Sequence, residues 1–112
     1  MKNRNIQIAL FLGILSFASC NKTESPVCDG SSPTYDDDIK VIIDNNCTSC
    51  HDAGSSDGDY TTYAAFSAHR SNGKFESSVL IKQDMPQSSN NSLTQDQLNK
   101  IQCWVENGFP EN

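Results

Sequence analysis

The chain has no second pair of closely spaced cysteines and no pair of histidines at finger spacing. A zinc site normally draws on four such ligands, so a structural zinc module is not the reading. Branched aliphatic residues are few in a composition rich in Ser, Asn and Asp. A chain of 112 residues forms one domain with a modest core, and a core this thin in aliphatics is marginal on its own. No apolar run reaches the about 20 residues that a bilayer span requires. Basic residues are also short, with 8 Lys and Arg against 14 Asp and Glu. An acidic surface repels phosphate backbones, which argues against nucleic acid as a partner. The acids of Asp52 to Asp59 lack the glycine and terminal glutamate of a calcium loop at the required register, leaving a solvated Gly/Ser/Asp loop.

What is present begins with an address. Lys2 and Arg4, the apolar run Ile6 to Phe17 and the small residues Ala18-Ser19 before Cys20 have the layout of a secretory signal, so residues 1–19 are expected to be removed. Phe17-Ala18-Ser19-Cys20 resembles the lipobox of bacterial lipoproteins, in which the cysteine is acylated and becomes the mature N-terminus. Phe17 stands where that pattern usually has Leu, and ordinary signal cleavage is the competing reading. Acylation of Cys20 implies an exported domain in the periplasm or cell envelope, tethered to a membrane without crossing it. Residues 20–32, polar and carrying Pro26 and Gly30, read as the tether, and residues 33–112 as the folded domain.

The stretch whose spacing specifies chemistry is Cys47-Thr48-Ser49-Cys50-His51. Two thiols bracketing two residues, with an imidazole directly after the second, is the arrangement of c-type haem attachment. The thiols add to the two haem vinyl groups, and the adjoining His51 is carried under the iron as an axial ligand. One covalent haem c also supplies apolar volume that the composition lacks. The main rival is a haem-free thiol–disulfide pair. Such a pair sits after a strand and at a helix start, whereas the residues before Cys47 read as a helix end. Of five cysteines, Cys20 goes to lipid and Cys47 with Cys50 to haem, leaving Cys28 and Cys103 in an oxidising compartment. These two are expected to pair, fastening the N-terminal segment to the last helix for about 2–4 kcal/mol. Two independent buried thiols are the alternative.

Along the chain the periodicity is helical. Thr34 and Asp37 fit a capping box, Asp36 to Asp38 complement a helix dipole, and Tyr35, Ile39, Ile42 and Ile43 recur on one face, predicting a helix to about Asp44. Tyr60 to His69 predicts a short helix capped by Thr61 or Thr62, with Tyr63 and Phe66 as pocket wall or ordinary core. Asn72-Gly73 breaks the chain before a turn of Val79, Leu80 and Ile81, capped by Ser77 or Ser78. Asp84-Met85-Pro86 is a loop, and Met85 is the one methionine left after signal removal. Its thioether is a competent second axial ligand for haem iron, against the reading of a methionine packing the core. His69 is the alternative ligand, although beside Arg70 it reads as a surface imidazole. Leu93, Thr94, Gln97 and Leu98 match staple, N-cap, capping box and staple partner of a last helix that stops at Gly108 and Pro110. Leu98, Ile101 and Val105 form its buried stripe, Trp104 flanks it, and Cys103 is expected to face outward. Ile101 and Trp104 join Tyr63 and Phe66 as candidate pocket residues.

Tyr35 and Ile39 ahead of CxxCH, Met85-Pro86 after it, and Leu93-Thr94 running to Trp104-Val105 and Gly108 make the chain resemble the small monohaem c-type cytochromes, in particular short lipoprotein cytochrome domains of Gram-negative bacteria. The resemblance covers nearly all of the mature chain. It implies an all-α, cytochrome c-like fold wrapped round one haem, with the first and last helices crossing beside it. Cys47 and Cys50 are then the thioether sites, His51 the proximal ligand and Met85 the distal one. Two departures stand out: the first helix lacks the glycine often found at that crossing, and no proline follows shortly after His51, so the group that orients its Nδ1–H is undetermined. The implied function is outer-sphere electron transfer with a redox partner carrying a basic patch. The alternatives are a haem gas sensor or small peroxidase with a displaceable methionine, for which no distal His or Arg constellation is apparent, and the haem-free thiol–disulfide domain.

Overall fold

A computed structural model describes residues 24–87 and 92–112. The expected signal segment 1–19 and the candidate lipidation site Cys20 lie outside the described residues. Among the described residues the regular structure is all helical, and no helix is long and apolar enough to cross a membrane. The elements are a π-helical turn Tyr35–Ile39 running into α1 (Lys40–Asn46), then α2 (Tyr63–Arg70), α3 (Lys74–Glu76) continuing as a second π-helical turn Ser77–Ile81, and finally α4 (Gln95–Glu106).

The first helix starts where the sequence says but not in the expected way. The Thr34 hydroxyl accepts from the Asp37 amide at 3.3 Å, as a cap should. The carboxylate that reaches back to the Thr34 amide is that of Asp38, at 3.2 Å, rather than that of Asp37. The first turn is wider than an α turn, with the Ile39 amide donating to the Thr34 carbonyl at 3.1 Å, which shifts the reciprocal partner along by one residue. The helix also runs past Asp44 to Asn46, whose side chain donates to the Ile42 carbonyl at 2.7 Å.

α4 follows its sequence signals closely. Thr94 and Gln97 form both halves of the capping box, at 3.2 Å and 2.9 Å. At the other end the Phe109 amide donates to the Trp104 carbonyl and the Gly108 amide to the Val105 carbonyl, a Schellman closure with Gly108 at φ +81°. Phe109 then packs on Trp104 with ring centroids 4.9 Å apart, the hydrophobic contact that usually accompanies this motif.

The chain end ties the first and last helices together. The carbonyls of Pro110 and Glu111 accept from the free amides of Tyr35 and Asp36, each at 2.9 Å, and Pro110 also accepts from the Trp104 indole. Helix N-terminal amides lack partners of their own, so the tail serves as the cap that the first helix needs. Lys100 on α4 adds an ion pair to Asp38 at 3.0 Å. The core between these elements is largely aromatic: Trp104, Tyr35 and Phe66 are fully buried, with Ile39, Ile43 and Ile101 filling the gaps. Phe66, Phe75 and Tyr60 meet edge to face at 5.0–6.0 Å, the favoured geometry for ring quadrupoles.

The remaining differences follow from packing. α2 begins at Tyr63 with Thr62 as its cap, one of the two caps expected, while Tyr60 stays in the preceding loop, its amide donating to the His51 carbonyl at 2.9 Å. The helix expected near Ser77 begins at Lys74, where Asn72 Oδ1 accepts the Lys74 amide at 2.9 Å and Phe75 enters the core. Cys103 is buried, not outward: it lies at disulfide-bonding distance from Cys28, Cα atoms 4.6 Å apart, and the N-terminal segment covers that face of α4. Residues 24–32 form no helix and lie along the domain. The Val27 amide donates to Asn99 Oδ1 at 3.0 Å and the Asn107 side chain to the Ser31 carbonyl at 3.1 Å.

Candidate haem-binding cavity

At the end of α1 the chain continues to wind. The Cys47 amide donates to the Ile43 carbonyl at 2.8 Å, and the amides of Cys50 and His51 both fold back to the Cys47 carbonyl, at 3.1 Å and 2.9 Å. The Thr48 hydroxyl secures the turn by donating to the Asp44 carbonyl at 2.9 Å. These turns bring Cys47, Cys50 and His51 to one wall of a cavity of about 360 Å³, within the roughly 300–1,000 Å³ usual for small-molecule and cofactor sites.

The other walls are mainly apolar. Ile42 and Ile43 come from α1, Phe75 and Val79 from the α3 segment, and Leu93 and Ile101 from the region of α4. Polar groups on the lining include Asn46, Asp57, Lys74 and Ser78. Met85 and Pro86 also line the cavity, on a loop pinned by two hydrogen bonds: the amides of Asp84 and Met85 donate to the Ser78 carbonyl at 3.0 Å and 3.3 Å. The second π-helical turn leaves that carbonyl available, since its own closure uses Ser77 through the Lys82 amide.

His51 is held from two directions. Its Nδ1 lies 3.2 Å from the Gly58 carbonyl, and its ring stacks on Tyr60 with centroids 4.4 Å apart and planes 10° from parallel. With Nδ1 protonated and donating to that carbonyl, the Nε2 lone pair is the one left to bind a metal. Of the thiols, Cys47 packs against the core, and burial pushes its thiol up to about 11, because the thiolate loses its hydration. Cys50 is exposed, and both cysteines are free thiols.

The cavity therefore gathers Cys47, Cys50, His51, Met85 and Ile101, and does not gather the other candidates. Tyr63 is turned toward the chain end, its hydroxyl donating to the Phe109 carbonyl at 2.7 Å. Phe66 and Trp104 belong to the aromatic core rather than to the cavity wall. His69 is not among the cavity-lining residues and packs near Gly58, where a Cβ added to the glycine meets its Cγ at 3.4 Å. Sequence reasoning missed Tyr60 and Phe75 as lining residues and Gly58 as the partner of His51. The glycine was visible in the loop, but its partner depends on how that loop closes. No known protein family, curated protein or solved structure matches the chain.

Proposed function

We propose that the chain is an exported monohaem c-type cytochrome that carries electrons, with Cys47 and Cys50 as thioether sites and His51 and Met85 as axial ligands. The observation that carries this reading is that two thiols, an imidazole and a thioether, far apart in sequence at Met85, line one largely apolar cavity. The residues suit the group. The thiols are free, the Nε2 of His51 is the nitrogen left over by its hydrogen bond, and the walls are mainly apolar, as those of cofactor sites usually are.

When bound, the haem supplies a one-electron iron couple. Cys47 and Cys50 would anchor it, His51 and Met85 would supply the protein ligands of its iron, and Ile42, Ile43, Phe75, Val79 and Ile101 would shield it from water. With protein ligands from both His51 and Met85, the iron would keep no position for a substrate, and its chemistry would be outer-sphere electron transfer. The formal charge of −6 favours a redox partner with a basic patch, attracted most at low ionic strength. Acylation at Cys20 places the domain at a membrane of the cell envelope.

The axial pair is tested by carbon monoxide. Ferrous wild-type protein is expected to be six-coordinate and slow to bind it. Met85→Ala is expected to bind it rapidly and to have a lower reduction potential, since a thioether raises the potential. Rapid binding by the wild type, or a Met85→Ala protein with unchanged absorption and potential, contradicts the proposal. His69→Ala is expected to leave both unchanged.

A further inference from the structure

We infer that Gly58 and Tyr60 are positioning residues that fix the tautomer and the ring plane of His51 for axial ligation, an inference that rests on the haem reading above. The loop from His51 to Tyr60 closes on the histidine three times. The Tyr60 amide donates to the His51 carbonyl at 2.9 Å, His51 Nδ1 meets the Gly58 carbonyl at 3.2 Å, and the Tyr60 ring stacks on the imidazole. A hydrogen bond along one ring nitrogen fixes the tautomer but leaves rotation about its axis. The stack at 10° removes that rotation. Tyr60 cannot yield easily, because Phe66 and Phe75 hold it edge to face at 5.3 Å and 6.0 Å.

Gly58 is required for this closure. It is buried at φ +115°, a region that residues with a Cβ rarely adopt. A Cβ there meets Tyr60 Cε1 at 3.1 Å and His69 Cγ at 3.4 Å, so any side chain displaces the carbonyl or the stacked ring. Two neighbouring acids are engaged elsewhere: Asp52 Oδ1 accepts the Gly54 amide at 3.0 Å, and Asp59 Oδ1 accepts both the amide and the hydroxyl of Thr61. The partner of His51 is thus a neutral backbone carbonyl. Such a partner fixes the Nδ1–H tautomer and strengthens the donation that Nε2 would make to a bound iron.

The test uses the haem-bearing full chain. The Nδ1–H of His51 is expected as a slowly exchanging proton resonance coupled to nitrogen. Gly58→Ala is expected to raise the reduction potential, because weaker donation favours ferrous iron. Gly54→Ala, in the same loop but with no positive φ and only a 3.5 Å contact to Asp52, is the control and leaves the potential unchanged. Tyr60→Leu removes the stack and is expected to shift the ferric electron paramagnetic resonance g-values, which report the ligand plane; Tyr60→Phe is expected to restore them. Should Gly58→Ala fail to fold, the wild-type resonance still decides. A freely exchanging Nδ1–H, or a folded Gly58→Ala protein with the wild-type potential, overturns this assignment alone. A wild-type chain that takes up no haem overturns the haem reading and this inference with it.

Discussion

Cys47 and Cys50 share a motif but not an environment. Cys47 packs against the core, while Cys50 stands in solvent on the next turn. Raising a thiol from 9.0 to about 11 lowers its thiolate fraction at neutral pH about 100-fold, and the thiolate is the reacting form. In chain prepared without haem, iodoacetamide is therefore expected to label Cys50 first, with Cys47 reacting about 100-fold more slowly than an unburied thiol. Peptide mapping by mass spectrometry checks this, and equal labelling contradicts it. The same burial makes the neutral thiol the favoured form of the folded state. The folded pKa thus lies above the unfolded one, so the contribution of Cys47 to stability is present below about 9 and is lost as pH rises through about 11. At this scale the grouping of Cys47, Cys50, His51 and Met85 as candidates was legible, because CxxCH spacing and a Met-Pro loop are local patterns, and all four line the cavity. Tyr60 and Gly58 were not, because stacking on His51 and φ +115° arise only when the loop closes.

Helix ends were legible in proportion to how local their chemistry is. The capping box of α4 needs only Thr94 and Gln97, and the Schellman stop needs only Gly108 and its neighbours. Thr94→Ala is expected to cost about 1 kcal/mol, seen as a lower urea midpoint with an unchanged slope. At the first helix the Thr34 cap was legible, but its reciprocal carboxylate was not, because the wide first turn presents Asp38 rather than Asp37 to the Thr34 amide. The beginning of α3 was hidden for another reason: Phe75 is drawn into the core by Tyr60 and Phe66, which no window around Ser77 contains. Between elements, Lys100 holds the Asp38 carboxyl below its ordinary range through their hydrogen bond. A depressed carboxyl stabilises the fold above its unfolded pKa, and that contribution is lost as pH falls through the folded value. The pair is partly exposed, so Asp38→Asn is expected to cost only about 0–1 kcal/mol at neutral pH and nothing in strong acid, measured by denaturation at the two pH values.

The described residues form a thin helical shell around an aromatic core, with a cavity between α1, the α3 segment and α4. Its closure depends on contacts between the first and last segments of the described residues: Cys28 with Cys103, Tyr35 with Pro110, and Val27 with Asn99. The cysteine pairing was legible by elimination. The outward orientation expected of Cys103 was not met, because a helix wheel contains no term for a segment that arrives from 75 residues away. Replacing both cysteines by serine is expected to lower stability by about 2–4 kcal/mol and to speed amide exchange at Val27, which hydrogen exchange followed by NMR detects. The thin core also leaves room for the group that the cavity is proposed to hold. Intact mass spectrometry of denatured wild-type protein, produced in a host that matures c-type cytochromes, tests that claim most directly. The predicted result is one haem's mass retained on the chain after denaturation and absent from the Cys47→Ser, Cys50→Ser double variant. A wild-type chain of bare polypeptide mass would contradict it.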